Sequence, residues 1–218
     1  MLLAEERRAI AHYAHRLRPD GLVAGTAGNL SVRSGDLLAI TPTGLDYDAL
    51  SPELVCVVDA NDGSPVEARL APASELPLHL AALHATGAQA VVHTHSVAAT
   101  TVASIEGLTE LPNIHYYTGL FGGPVPITEY ARFGTRQLAD NVAAALADRT
   151  GCLMGNHGAV AVGRDLEQAY DKAQQLEWMS ELFLRASAFG TPRLLPDEEI
   201  AAVAELVVDY GQKAPSPA

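Results

Sequence analysis

The sequence predicts a single α/β domain whose central sheet is largely antiparallel and is covered by helices. Three observations lead there. Runs with apolar residues at helical spacing are mixed with short strand-like runs, several passages read strand–turn–strand, and no regular βαβ repeat is present. A length of 218 residues fits one full-sized domain with enough chain for a large core.

Residues 4–17 carry apolar positions at helical spacing, and Pro19, Asp20 and Gly21 stop the run. Residues 25–29 (Gly-Thr-Ala-Gly-Asn) form a compact loop of small residues. Strands follow at 30–32 and 37–40, then a turn at 41–44 (Thr-Pro-Thr-Gly). Residues 54–59 read as a strand, and the turn at 61–65 leads into 66–70 as its hairpin partner. Ser74 stands at the N-cap position of a helix running to about residue 85 and ended by Gly87. A strand at 90–95 and a short helix at 96–104 come next, whereas 113–128 has no clear period. The pattern then predicts a helix over 133–148 and two strand pieces flanking Gly155-Asn156-His157-Gly158. Asp165 caps a long amphipathic helix to Phe189, and a last helix begins at Asp197 and ends near Tyr210. The expected domain is 1–211, with 212–218 as a flexible tail.

Fourteen Lys and Arg against 26 Asp and Glu give a net charge of −12. That balance argues against a nucleic-acid partner or an anionic membrane surface. An anionic substrate would have to be held by local donors. The apolar run at the N-terminus is too short for a signal peptide, and no stretch approaches the ~20 apolar residues of a membrane span. Cys56 and Cys152 each lie in an apolar strand-like run and read as buried thiols, so the expected compartment is the cytoplasm.

His93-Thr94-His95 is the most informative short string. On a strand the two imidazoles project to one side while Thr94 points away. They are either two metal ligands or two partly buried histidines bonded to backbone. His157, between glycines, is either an ordinary turn residue or the third member of a three-imidazole set, which suits zinc and leaves a position for substrate. Glu75 opens the helix before the His-X-His strand. It is either a carboxylate favoured by the helix dipole or one brought near a metal as ligand or base. His12, His15, His79, His84 and His115 read as structural. Gly28-Asn29, Thr43-Gly44 and Ser74 could each present N–H groups or hydroxyls to a phosphate, or be plain turns and caps.

Taken together, these strings resemble a known family. Residues 25–33 (GTAGNLSVR), 40–44 (ITPTG), 72–75 (PASE), 91–95 (VVHTH), 114–116 (IHY) with Gly122-Gly123, 130–136 (YARFGTR) and 156–158 (NHG) occur in the order seen in class II aldolases of the aldolase/adducin group. Within that group the pattern is nearest to the enzymes acting on L-fuculose 1-phosphate. The resemblance covers nearly the whole chain.

The resemblance implies that His93, His95 and His157 bind zinc, with another divalent cation as the alternative. Glu75 would contact the metal at rest and then act as general base and acid. Tyr116 matches a tyrosine that reaches the active site of an adjacent subunit and protonates the aldehyde oxygen. Gly28, Asn29, Thr43, Gly44 and Ser74 match phosphate contacts, and Phe133 and Tyr210 match aromatics that shape or close the site. The implied fold is an α/β/α sandwich around a mostly antiparallel sheet, assembled as a homotetramer with active sites at subunit interfaces. The implied reaction cleaves a ketose 1-phosphate to dihydroxyacetone phosphate and a short aldehyde such as L-lactaldehyde, with zinc as Lewis acid. The sequence has only two lysines, Lys172 and Lys213, and neither lies in these motifs, which disfavours Schiff-base chemistry.

Ala73 departs from the family's usual serine and removes a hydrogen bond to phosphate worth ~1.5–3 kcal/mol. Asn156 replaces a histidine or glutamine. Tyr117, Leu120 and Phe121 make the segment after Tyr116 bulkier and leave the aldehyde open. A salvage aldolase for 5-deoxypentulose 1-phosphates has the same motifs. Pentulose-phosphate 4-epimerases carry aspartate where Glu75 stands; methylthioribulose-phosphate dehydratases share the fold. An adducin-like interaction domain would have no need of the three histidines and Glu75, and a zinc hydrolase would need a leaving-group acid that no residue pair supplies.

Overall fold

A computed structural model describes residues 1–208. Helix α1 (Ala4–Leu17) forms where Ile10, Ala14 and Leu17 recur on one face, and all three are buried. Strands β1 (Asn29–Ser34), β2 (Leu37–Ile40), β3 (Cys56–Asp59) and β4 (Pro65–Glu67) follow as an antiparallel meander. The expected strand at 54–59 starts two residues late because Pro52–Leu54 is a 3-10 turn. The buried Arg7 ties α1 to β4 through an ion pair with Glu67 and also donates to the Pro52 and Glu53 carbonyls.

Helix α2 (Leu76–Thr86) leads into β5 (Ala90–Thr94) and the short α3 (Val97–Val102). The segment without a clear period contains β6 (Glu110–Leu111), a 3-10 helix (Tyr116–Phe121) and β7 (Val125–Thr128). Helix α4 (Arg136–Ala145) starts later than its apolar pattern suggests, because Thr135 caps it by accepting from the Leu138 N–H. Phe133 therefore lies on the preceding loop. Strands β8 (Gly151–Met154) and β9 (Gly158–Gly163), α5 (Leu166–Phe189) and α6 (Asp197–Val208) complete the described residues. Asp165 caps α5 as its position predicts. The expected end of the last helix, Tyr210 and the tail at 212–218 lie outside the described residues.

The strands form one sheet in the order β4-β3-β2-β1-β5-β9-β8-β7-β6. Among the described residues only β7 and β8 run parallel. Alternation along the strands feeds two cores. Ala90, Val92 and Ala161 face α1 and α5, with Leu17 and Tyr170. Val91, Val160 and Val162 face α2 and α4, with Leu83 and Val142. A third cluster packs α3 and the 3-10 helix against α5, through Val102, Phe121 and Met179. The result is helices on both faces of a mostly antiparallel sheet, as expected. Among the described residues no helix is long and apolar enough to cross a membrane.

The turn between β8 and β9 is pressed against the end of β5. A Cβ on Gly158 would lie 2.1 Å from the Thr94 carbonyl oxygen. Gly158→Ala is expected to cost more than about 2 kcal/mol, since neither backbone can yield. Thermal unfolding checks this, and a melting temperature within about 2 °C of the parent's would contradict it.

Candidate metal centre

The same approach brings three histidines together. His93 lies on β5, directly opposite Asn29 on β1 and Val160 on β9. His95 is one residue past the strand, where its N–H donates to the Leu22 carbonyl. His157 sits in the β8–β9 turn, whose left-handed residue is Asn156 at φ 53°. Asparagine tolerates that conformation better than most side chains.

The three ring centroids are 4.7–5.0 Å apart. His95 Nε2 is 3.0 Å from His93 Nε2. Glu75 completes the group, with Oε2 3.0 Å from His93 Nε2 and Oε1 3.3 Å from His157 Nε2. One ligand atom from each of the four residues falls within 4.8 Å of the others.

The surroundings suit a divalent cation. His93 Nδ1 lies 3.0 Å from the Ala159 carbonyl, and donating there directs Nε2 inward as a ligand atom. Glu75 Oε1 is buried and has no hydrogen-bond partner, so a cation would satisfy an otherwise orphaned acceptor. Lone pairs facing one another at these distances need a hydrogen or a metal ion between them.

Burial pushes the Glu75 carboxyl up, but the charge and hydrogen bond of His93, together with Asn29 and His157, outweigh it and hold it well below the usual carboxylate range. Burial likewise opposes charge on His93, and Glu75 overcomes it and raises that pKa. Burial and the neighbouring His93 push His95 down to about 3 and His157 down to about 4. Both rings are thus neutral near pH 7, the form that binds metal.

Glu75 is not in the first turn of α2 but at its N-cap position, where its carboxylate makes no cap. The carboxylate turns into the histidine cluster instead. Ser74 does not cap the helix either, contrary to expectation, and its side chain is left exposed beside the site.

A cavity of about 290 Å³ opens beside the cluster. Gly28, Asn29, Thr43, Gly44 and Ser74 all line it, with Glu75, His95, His157 and Phe133. Among the described residues no lysine or arginine does. Ala73 also lines it, but its methyl packs against Ile40 and Cys56. The Asn29 side chain is largely engaged away from any phosphate: Nδ2 donates to Glu75 Oε2 at 3.0 Å, and Oδ1 faces His79.

Tyr116 is not among the cavity's residues. It is 43% exposed on the 3-10 helix and stacks on His115 at 4.1 Å. Phe121 is fully buried, with Tyr117 and Leu120 packed against the same cluster, so the expected bulk fills the core and not the pocket of this chain. Of the histidines read as structural, His12, His15 and His84 are exposed, but His79 is fully buried beside the site.

Sequence reasoning missed three supports. The Tyr47 hydroxyl donates to the Gly28 carbonyl at 2.6 Å and so holds the small-residue loop. Glu177 on α5 accepts from the Ala98 and Ala99 N–H groups, each at 2.8 Å, and anchors the helix that follows His95. His79 stands four residues after Glu75 and so on the same face of α2, a spacing that could have flagged it.

The family profile described as the class II aldolase and adducin N-terminal domain matches residues 8–184. The chain belongs to this family. It is a class II aldolase, an aldehyde-lyase, and class II aldolases use a divalent metal, for which the His/Glu cluster is the candidate site. The 5-deoxy-D-ribulose 1-phosphate aldolase of Bacillus thuringiensis is 36% identical over 98% of this chain and 100% of its own length. The L-fuculose phosphate aldolase of Escherichia coli is 41% identical over 88% of each chain. A solved L-fuculose 1-phosphate aldolase superposes with a TM-score of 0.91 at 34% identity, covering 95% of this class II aldolase and 98% of that chain.

Proposed function

We propose that this class II aldolase is zinc-dependent and reversibly cleaves a ketose 1-phosphate, such as L-fuculose 1-phosphate, to dihydroxyacetone phosphate and a short aldehyde such as L-lactaldehyde. One observation carries the reading. A cavity with N–H and hydroxyl donors and, among the described residues, no lysine or arginine adjoins three imidazoles and a carboxylate within 4.8 Å of one another. Such a cavity suits an oxyanion in a protein of net charge −12, with its charge countered by a cation.

His93, His95 and His157 hold the metal, with Glu75 as the fourth ligand at rest. The bound ion supplies Lewis-acid stabilisation of negative charge on the ketone and hydroxyl oxygens. Gly28, Asn29, Thr43, Gly44 and Ser74 contribute donors to the phosphate, Asn29 through the Nδ2 hydrogen that Glu75 does not use. In the condensing direction Glu75 takes the proton from C3 of dihydroxyacetone phosphate, C3 bonds to the aldehyde carbon, and a proton passes to the aldehyde oxygen. Tyr116 of a neighbouring copy delivers that proton in a homotetramer. Its exposure, outside the lining of its own chain's cavity and grouped with His115, Tyr117 and the 45%-exposed Trp178, supports a role at another subunit's site. Phe133 shapes the mouth, and the closing role that the family pattern implies falls to Tyr210, which lies outside the described residues. The unit acting is a single domain over 1–211, and the buried free thiols of Cys56 and Cys152 fit a cytoplasmic protein.

A 5-deoxypentulose 1-phosphate is the second reading. Three relatives named for such substrates align over 91–98% of this chain, against 88% for the E. coli fuculose-phosphate enzyme. A panel of aldehydes condensed with dihydroxyacetone phosphate, with and without chelator, decides between them. Preference for L-lactaldehyde over acetaldehyde supports the first, and the reverse order overturns it. Activity surviving the chelator on every aldehyde contradicts the metal-dependent reading itself.

A further inference from the structure

His79 is fully buried and joins the catalytic carboxylate to the sheet through three hydrogen bonds in series. Asn29 and Ser31, two residues apart on β1, point to the same face, toward α2. Ser31 Oγ lies 2.6 Å from His79 Nδ1, and His79 Nε2 lies 2.5 Å from Asn29 Oδ1. Asn29 Nδ2 then reaches Glu75 Oε2 at 3.0 Å.

The direction of this chain is determined at its far end. A carboxylate only accepts, so Asn29 must present Nδ2 to Glu75 and Oδ1 to His79. His79 Nε2 must therefore carry a hydrogen, and in a neutral ring Nδ1 accepts from the Ser31 hydroxyl. A flipped Asn29 would set its oxygen against the Glu75 carboxylate. Without His79 the amide oxygen has lost its donor, and only repulsion from the carboxylate opposes that flip.

We propose that His79 is a positioning residue: through Asn29 it pins Glu75 Oε2 and leaves Oε1 as the oxygen that takes and returns the proton. Oε1 is the buried atom with no hydrogen-bond partner, on the side of His157. The proposal rests on the reading of Glu75 as the base. It adds which oxygen acts and what orients it.

The test uses the metal-loaded chain with dihydroxyacetone phosphate in deuterium oxide and no aldehyde, following exchange of the C3 hydrogen. His79→Leu keeps the burial but has no donor, and exchange is expected to slow about tenfold or more, in the rate at saturation and not in KM, with metal content unchanged. His79→Gln carries an N–H donor and is expected to return the rate to within about threefold of the parent. In the metal-free proteins, the Asn29 side-chain amide hydrogens, read by NMR, are expected to exchange with water about tenfold faster in His79→Leu than in the parent.

Parent-like C3 exchange in His79→Leu, or equal slowing in His79→Gln, overturns the assignment. Should His79→Leu fail to fold, Ser31→Ala removes the other end of the chain with little change of volume. It is expected to slow exchange several-fold, and an unchanged rate overturns the assignment equally. Glu75→Gln separates the two readings. Exchange persisting in that variant removes Glu75 as the base, whereas exchange lost there but unaltered in His79→Leu removes only the role of His79.

Discussion

Glu75→Gln is expected to lower turnover about 10²–10⁴-fold, the range in which a positioned general base contributes. The glutamine keeps the length of the side chain and can still accept from Asn29 Nδ2 through its carbonyl, so the hydrogen bond at 3.0 Å survives. What disappears is a carboxylate held well below its usual range by His93, Asn29 and His157 despite burial. Release of dihydroxyacetone phosphate from the ketose 1-phosphate that the parent cleaves measures the loss, and circular dichroism checks that the fold is intact. A variant turning over within about tenfold of the parent would contradict the role of Glu75 as base.

Metal removal has an equally large expected effect. Stripping the protein with a chelator should abolish cleavage, and stoichiometric Zn²⁺ should restore it. At free metal roughly a hundredfold above Kd, binding adds about 2.7 kcal/mol to the folded state. For a chain of this length that corresponds to about 5–10 °C in melting temperature. The donors are ready for a cation, since burial and neighbouring imidazoles keep His95 and His157 neutral to about 3 and about 4. Full activity in protein with less than about a tenth of an equivalent of metal would refute the centre.

Both predictions concern residues whose chemistry could be read locally, but to different depths. Period-two alternation was enough to turn His93 and His95 to one side, because strand geometry is a property of neighbouring residues. Glycines on either side of His157 signalled a close approach, and the 2.1 Å from a Cβ on Gly158 to the Thr94 carbonyl accounts for them. Helix limits were less readable. Thr135 and Glu75 took the cap positions where the apolar pattern suggested an earlier start and Ser74, since caps depend on how the preceding loop enters. The segment at 113–128 had no period because its 3-10 helix buries Phe121 and leaves Tyr116 outside.

The sequence by itself determined the layered α/β class, the pair of imidazoles on one strand, the third imidazole on a glycine turn and the small-residue loops fit for an oxyanion. These follow from short-range steric preferences that act within a few residues of chain. Only the tertiary structure decided that Asn29, Glu75, His79, His93 and His157 meet, that Asn29 serves the carboxylate, and that Tyr116 is not part of the lining of its own chain's cavity. Strand register and helix docking bring residues more than forty positions apart to hydrogen-bonding distance, and no local pattern encodes that distance.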